Sequence, residues 1–266
     1  MAREGRFTVT VFGLGEAGSL FAADLARNAA LVQAYDPAPV ATPSGVVRCA
    51  DPSEAVEGAD VVLALVAEHD MRTAVSQAAG SIAPGSLYAD CGSGSPGLKR
   101  ELAAVADAGG FSFVDIGMMA MVPGYGVAVP SLASGAEAER FVELMTPFGM
   151  DVTAVDGGVG EASARKLLRS VVVKGLAALL IESLRAAEKA GCRDWVWENV
   201  ANQIASADRD FLVRLLEGTA QHHLRRTDEM VAATSMLEEL GIEPRMTRST
   251  VAIHRIVPDE GVPSPG

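Results

Sequence analysis

Gly13, Gly15 and Gly18 constrain this chain more than any other feature, because they come straight after the run Thr8-Val9-Thr10-Val11-Phe12 and straight before a helical stretch. In a strand–turn–helix unit each glycine of a Gly-x-Gly-x-x-Gly has its own task. Gly13 makes the tight turn, Gly15 lets the backbone approach a pyrophosphate, and Gly18 lets helix and strand pack closely. The helix start, with Leu14, Glu16 and Ala17 between the glycines, offers unpaired N–H groups and a positive dipole end to phosphates. The spacing alone is a weak signal, since some Gly-rich turns bind nothing. Asp36 strengthens it, standing just past the next strand-like run, Leu31 to Tyr35. An Asp there accepts hydrogen bonds from an adenosine ribose 2′-hydroxyl and repels a 2′-phosphate. The plainer alternative is that Asp36-Pro37 starts a turn. No Arg or Lys follows Asp36 before Arg48, so the expected cofactor is NAD, with NADP disfavoured.

Residues 1–156 alternate short β-rich runs with Ala-rich helical ones, the pattern of a parallel α/β sheet. Strands are expected at Thr8 to Phe12, Leu31 to Tyr35, Val61 to Val66, Leu87 to Asp90, Phe111 to Asp115 and Val152 to Val155. Helices are expected at Ala17 to Asn28, Met71 to Ala79, Pro96 to Ala108 and Glu137 to Phe148. Beyond Gly160 the character changes. From Ala162 to Ala190 there is no proline and one internal glycine, Gly175, before a stop at Gly191, which reads as one long helix. Its apolar residues, among them Leu167, Leu168, Val171, Val172, Leu176 and Leu180, surround most of the circumference, so most faces must be buried. A region this small can hardly do that alone. A partner subunit, most simply a homodimer, or a wrapping of later helices is expected. Further helical patterns run from Trp195 to Ser206, Asp208 to Arg226 and Thr227 to Leu240. The expected division is an α/β domain over 1–156, an all-helical domain over 157–257, and a Pro- and Gly-rich disordered tail over 258–266.

A net charge of −12 argues against nucleic-acid or anionic-membrane partners, which need clustered Lys and Arg. It leaves room for a local basic pocket and an anionic small-molecule substrate. Cys49, Cys91 and Cys192 are few, odd in number and scattered, as free thiols in a reducing compartment are. The start Met1-Ala2-Arg3-Glu4-Gly5-Arg6 has no apolar core behind its charges, unlike a signal peptide, and no apolar run approaches membrane-spanning length. A cytoplasmic setting is expected. No His/Cys/Asp cluster has metal-ligand spacing, so no metal is expected.

The second chemistry-bearing segment is Gly157-Gly158-Val159-Gly160-Glu161-Ala162-Ser163-Ala164-Arg165-Lys166, a glycine turn that opens the long helix and sets one lysine in its second turn. Behind a dinucleotide motif, such an amine suggests proton transfer. Oxidising an alcohol needs a base for the hydroxyl proton as hydride leaves carbon, and the reverse needs an acid. An amine does this near neutral pH only if desolvation or neighbouring cations, here Arg165 and Arg169, depress its pKa. The bland reading is a surface lysine on an amphipathic helix.

Together these segments resemble the β-hydroxyacid dehydrogenase and 6-phosphogluconate dehydrogenase-like superfamily over nearly the whole chain. The resemblance rests on the glycine fingerprint, Asp51-Pro52-Ser53-Glu54-Ala55 before Ala59-Asp60-Val61-Val62, Asp90-Cys91-Gly92-Ser93-Gly94-Ser95-Pro96, the Asp115 loop, and the turn before Lys166. It implies a Rossmann-type α/β N-terminal domain, then an all-α C-terminal domain led by a long inter-domain helix. It further implies NAD(P)-dependent oxidation of a hydroxyacid, or the reverse reduction, with Lys166 as general acid or base. Val66, Ala67 and Ser93 would then face cofactor, and Ser95 substrate.

The chain departs from that pattern at two places. Four residues after Lys166, where many members carry a substrate-binding Asn, stands Ser170, on the same helix face but with shorter reach. Arg169 beside it could meet a carboxylate or phosphate. After Asp115, where hydroxyacid members carry Ser-Gly-Gly, the chain reads Ile116-Gly117-Met118-Met119-Ala120-Met121. Met118 and Met119 either wall an apolar, adaptable substrate pocket or fill core. The segment Gly218 to Met230 resembles an uncharacterised C-terminal domain of some phosphogluconate dehydrogenase-like proteins. Its His222, Arg225 and Arg226 are either an anion grip or a solvated basic patch. Two rival functions are an imine or carbonyl reductase of the same fold, whose members often lack the lysine, and a dinucleotide-binding sensor with degraded catalysis.

Overall fold

The computed structural model describes residues 6–28 and 30–264, so the expectations for residues 1–5 and 265–266 lie outside the described residues. The first part of the chain runs β1 (Thr8–Phe12), α1 (Glu16–Arg27), β2 (Leu31–Tyr35), β3 (Val46–Arg48), α2 (Pro52–Val56) and β4 (Val61–Ala64). Next come α3 (Met71–Ala79), β5 (Leu87–Asp90), α4 (Pro96–Gly109), β6 (Ser112–Met118), β7 (Ser131–Ser134), α5 (Ala138–Met145) and β8 (Val152–Ala154). Four helices follow: α6 (Glu161–Lys189), α7 (Arg193–Ala205), α8 (Arg209–Glu239) and α9 (Arg245–Glu260).

Every residue of β1, β4 and β5 is buried, which demands cover on both faces of the sheet. The strand period of two supplies it. Val9 and Val11 enter one core with Phe21, Leu25 and Phe141, while Phe12 and Val62 enter another with Met71, Val75, Leu98 and Leu102. Among the described residues the strands form one sheet in the order β3-β2-β1-β4-β5-β6-β7-β8. All pairs are parallel except β6 with β7. The order reverses direction between β1 and β4, and in open α/β sheets ligands bind beyond the strand C-termini at such a switch.

Two strands escape the sequence patterns. β3 has three residues, and β7 is a Ser-rich tetrapeptide between Pro130 and Gly135. Neither has a periodic signal of its own. β7 exists because β6 runs on past Asp115, pairing Asp115 with Ser134 and Met118 with Ser131. The segment expected to be a loop after Asp115 is therefore strand as far as Met118, a correction that only the long-range pairing supplies.

The chain divides into two compact units, Met1–Arg169 and Ser170–Gly266. The sequence reading puts a boundary at Gly157, whereas the contacts divide inside α6, whose first turn is bound to the sheet of the first unit. In the second unit the two helical runs expected on either side of Arg226 are one helix, α8, kinked at His222 with φ −123° and ψ 26°. Helix α9 falls within the expected all-helical region without having been delimited as a helix, and it continues through Pro258 to Glu260 where a disordered tail was expected. Pro258 lies near the end of that helix. Glu182 holds the start of α9 by accepting the N–H groups of Met246 and Thr247 at 2.8 and 2.9 Å. Among the described residues no helix is long and apolar enough to cross a membrane.

Candidate functional site

The glycine turn after β1 is built as its spacing requires. Gly13 has φ +87°, and a Cβ there would lie 2.6 Å from the Leu65 carbonyl oxygen. A Cβ on Gly18 would lie 1.8 Å from the Gly13 carbonyl oxygen, so α1 can dock on the turn only without a side chain there. Gly15 is different. Its φ of −62° is ordinary, and a Cβ would meet no protein atom within 4 Å. No internal contact requires glycine at 15; its bareness leaves open space at the head of α1, a helix start that no side chain caps. That is the arrangement a pyrophosphate needs, and the residues fit a dinucleotide.

Beside this turn lies a cleft of about 360 Å³ whose lining includes Gly13, Gly15, Asp36, Val66 and Ala67, five of the residues expected to face cofactor. Asp70, Thr73 and Gln77 also line it. Asp70 directly precedes α3, and Thr73 and Gln77 stand one turn apart along it, a spacing that was the available signal. Leu14 is buried in the core, Glu16 is exposed and Ala17 packs at the edge of the core, and these three are not among the residues that line the cleft. The Asp36 carboxylate accepts the Leu14 N–H at 2.7 Å and the Ala38 N–H at 2.8 Å. It both shapes its own turn and ties that turn to the glycine loop. Arg48, distant in sequence, is brought alongside by the β2–β3 pairing of Ala34 with Arg48. Its guanidinium donates to the carbonyl oxygens of Asp36 at 2.5 Å, Ala38 at 2.8 Å and Val40 at 3.4 Å.

Lys166 sits in the second turn of α6, half-buried, and its Nζ donates to Ser93 Oγ at 2.7 Å. Ser93 follows β5 in the loop Cys91-Gly92-Ser93-Gly94, so the amine and this hydroxyl come from segments far apart in the chain. What holds them there is a polar cluster that sequence reasoning missed. Lys99, in the first turn of α4, has no exposed surface. Its Nζ donates to Asp90 Oδ1 at 2.5 Å and to the Asp90 carbonyl oxygen at 2.9 Å, and pairs with Asp115 Oδ1 at 3.2 Å. Asp115 in turn accepts Ser163 Oγ–H at 2.6 Å and Ser163 N–H at 2.9 Å, capping the first turn of α6. Ser134 Oγ also donates to Asp115 and accepts the Ala162 N–H at 3.0 Å. Gly117 lets α6 come this close, since a Cβ there would lie 2.6 Å from the Ala162 carbonyl oxygen. The signal for Lys99 was its place on the buried stripe Leu98, Lys99, Leu102, Ala106 of α4. A lysine on an apolar stripe must be paired.

Burial would by itself push the Lys99 ammonium down, but Asp90 and Asp115 outweigh it and hold the group above its ordinary value. Burial first, then the Lys99 charge, holds Lys166 below the ordinary lysine value. Cys91 is pushed up to about 12, mainly by burial and then by Asp90, so its thiol stays protonated.

The other expected residues are placed as follows. Ser95 Oγ accepts the Leu98 N–H at 3.2 Å and caps α4. Met118 packs against the core from the end of β6, and Met119, half-exposed, reaches Gly117 beside the first turn of α6. Arg169 is exposed and Ser170 half-buried. In the second unit, His222 is the exposed kink residue of α8 and Arg225 pairs loosely with Glu229 at 3.9 Å. Arg226 is turned onto its own helix, donating to Thr219 Oγ1 at 2.5 Å and to the Leu215 carbonyl oxygen at 3.2 Å, across the kink. That position ties the turn after the kink to the turn before it. Among the described residues no group of three His, Cys, Asp or Glu is placed to hold a metal ion.

Comparison with known proteins places the glycine turn within a family of dinucleotide-binding domains. The family described as the NAD binding domain of 6-phosphogluconate dehydrogenase matches residues 8–148, and the Domain of unknown function (DUF1932) matches residues 187–257. The chain is similar to a conserved hypothetical protein of known structure from Sinorhizobium meliloti 1021, with 33% identity, 98% of this chain and 93% of that chain covered, and a TM-score of 0.62. It is 26% identical to a probable 3-hydroxyisobutyrate dehydrogenase of Mycobacterium tuberculosis, over 69% of this chain and 65% of that protein, and so spans less than two thirds of that relative. An imine reductase from Myxococcus stipitatus in complex with NADP+ shares the fold at 19% identity, with a TM-score of 0.77 and 96% and 95% of the two chains covered.

The two glycines separate fold from ligand. Gly18→Ala should lower the urea midpoint, by the ~1–3 kcal/mol of an overpacked contact. Gly15→Ala should leave that midpoint unchanged and weaken dinucleotide binding about tenfold, equivalent to ~1.4 kcal/mol. Urea titration with calorimetry of NAD binding checks both, and equal effects of the two variants on stability would contradict the distinction.

Proposed function

The chain belongs to the family defined by the NAD binding domain of 6-phosphogluconate dehydrogenase, and on that premise we propose an oxidoreductase that moves hydride between NAD and a carbon bearing a hydroxyl or carbonyl, with Lys166 as the acid–base group. The observation that carries this reading is the Lys166–Ser93 contact, which holds an amine of lowered pKa over the C-terminal end of β5. When bound, the nicotinamide supplies the hydride acceptor or donor. Lys166 in its uncharged form takes the substrate hydroxyl proton during oxidation and returns it in the reverse direction. The Ser93 hydroxyl accepts an N–H of that amine and restricts where it points. Because burial and Lys99 disfavour the ammonium, the uncharged amine is populated at lower pH than in a surface lysine.

A second reading, reduction of a carbonyl or imine without a carboxylate, is favoured by Met119 beside the first turn of α6, where a polar clamp would suit a small hydroxyacid better. Lys166 leans toward the hydroxyl substrate. For the cofactor, the Asp36 carboxylate lines the cleft while the donors of Arg48 are directed at backbone carbonyls, a combination that favours a ribose 2′-hydroxyl over a 2′-phosphate.

A homodimer is proposed on the state of the long helix and the second unit. Leu168, Val171 and Val172 of α6 are each about 70% exposed in the single chain. Trp195 and Trp197 of α7 are exposed as well. Between α6, α7, α8 and α9 lies an apolar cavity of about 460 Å³ lined by Leu176, Leu180, Val196, Met230 and Leu237 among others. Exposed apolar surface on this scale marks an interaction face, and aromatic side chains are enriched at interfaces.

Four outcomes follow from this reading. With NAD and 3-hydroxyisobutyrate or related 3-hydroxyacids, Lys166→Ala should lower kcat by roughly 10²–10⁴ with cofactor affinity intact, and Lys166→Arg should fail almost as badly. In the wild type the oxidation rate should fall as pH drops through a pKa below 10.5. Wild-type turnover by Lys166→Ala would remove the mechanism. Calorimetric titration should find NAD tighter than NADP, with Asp36→Ala narrowing the gap; tighter NADP would remove the role given to Asp36. Light scattering at low micromolar concentration should report at least twice the mass of one chain, and a stable monomer would contradict the dimer.

A further inference from the structure

A methionine would fill the place of Lys99 with no charge to desolvate. Buried ion pairs are often no more stable than apolar residues of the same volume, so a fully enclosed Lys between two Asp calls for a reason beyond stability. The contacts supply one, because they close into a ring. Lys166 Nζ donates to Ser93 Oγ at 2.7 Å. The residue before Ser93 donates its N–H, that of Gly92, to Asp90 Oδ1 at 3.1 Å. The same Asp90 oxygen takes Lys99 Nζ, which pairs on its other side with Asp115 Oδ1. Asp115 holds both the N–H and the hydroxyl of Ser163, and Ser163 stands one helical turn before Lys166 on α6. Each half of the amine–hydroxyl pair thus hangs from one carboxylate, and a single ammonium joins the two carboxylates.

We propose that Lys99 is a positioning residue for Lys166: through Asp90 it holds the Ser93 loop and through Asp115 the first turn of α6, and its fixed charge is part of the field that the Lys166 amine meets. This rests on the acid–base reading of Lys166 given above. Around that amine, α4 contributes Lys99, the end of β5 contributes Asp90 and the protonated Cys91, and β6 contributes Asp115. On α6 itself, Arg165 is paired with Glu161 at 3.0 Å and Arg169 is exposed. Among the described residues, one Asp90 oxygen, Oδ2, is buried with no hydrogen-bond partner. The ammonium contacts both carboxylates, so the Lys99 charge cannot be removed without consequence for either.

The two signs of charge make the proposal testable without a substrate. The chain has four lysines, Lys99, Lys166, Lys174 and Lys189. With lysine labelled at Cε with 13C, the free protein yields a small, assignable set of signals, and Lys166→Ala identifies the one of interest. Its titration midpoint is followed with pH in the wild type, Lys99→Met and Asp115→Asn, with circular dichroism as the check on folding. Loss of the Lys99 cation should raise the Lys166 midpoint, and loss of the Asp115 anion should lower it, each by at least ~0.5 unit. If the cluster merely kept the fold together, both variants would loosen α6 and move the midpoint upward together toward an ordinary lysine. That joint rise, or no movement in either variant, overturns the proposal. Should Lys99→Met fail to fold, Asp115→Asn decides alone: a fall supports the ring and a rise or no change overturns it. Opposite shifts in a protein without turnover on any hydroxy or carbonyl substrate would leave the ring standing and remove the proposed function. Flat titrations together with loss of turnover in Lys166→Ala would do the reverse.

Discussion

A lysine with no exposed surface, lodged between two buried aspartates, ties together the parts of the first unit that matter for chemistry. Desolvating these three charges costs several kcal/mol per ion, which mutual attraction offsets only with good geometry and extra hydrogen bonds. The extra bonds come from backbone and hydroxyl donors: Gly92 N–H, Ser163 N–H, and the hydroxyls of Ser163 and Ser134. Two of these donors belong to the start of α6, so satisfying Asp115 and anchoring the long helix are one event. The position of Lys166 over the end of β5 depends on that anchor. Gly117 permits it by leaving room for the Ala162 carbonyl, and so the glycine on β6 matters as much to the amine as the glycines of the turn before α6.

The dinucleotide cleft follows a different logic, in which absence of atoms is the design. Gly13 and Gly18 are bare because other protein atoms occupy the space, whereas Gly15 is bare toward open space. Only the last of these is unexplained by the protein alone, and a ligand backbone approaching the head of α1 explains it. Asp36 combines two tasks that the sequence sets out as alternatives. It closes its own turn through Ala38 and grips the glycine loop through Leu14, so the edge of the cleft is held rigid by the group proposed to meet the ribose. Arg48 stiffens the same turn from the backbone side.

The helical unit has few buried apolar side chains of its own: Ala186, Ala187, Leu237, Val251 and Val257. A region of that size cannot gain enough from so small a core to offset its conformational entropy. One of its internal polar contacts is Glu182 at the start of α9, where burial is outweighed by hydrogen bonds from Thr247 and Met246 that hold the carboxyl below its ordinary value. The proposal of a second copy answers this deficit with apolar surface that the chain already carries on α6 and α7.

Local pattern carried most of the sheet and the turn. The limits of β1, β2, β5 and α3 are those that periodicity and punctuation imply, because short buried strands and a glycine turn are specified by the residues within them. Helix α6 lies one residue earlier at each end than the span Ala162 to Ala190 read from the absence of proline and the stop at Gly191. Asp36 and Lys166 were legible for the same reason, since each stands at a fixed offset from a turn. What no local window could supply is every feature that depends on a partner far along the chain. β7 forms because β6 continues past Asp115, Arg48 reaches the Asp36 turn because β3 lies beside β2, and α9 starts on a carboxylate from α6. Lys99 is the clearest case. Its own neighbours make it a misplaced charge on an apolar stripe, and only the tertiary structure, by bringing β5, β6 and the start of α6 to one point, turns that charge into the joint that holds them, because an ion can stay buried only where its counter-ions are folded around it.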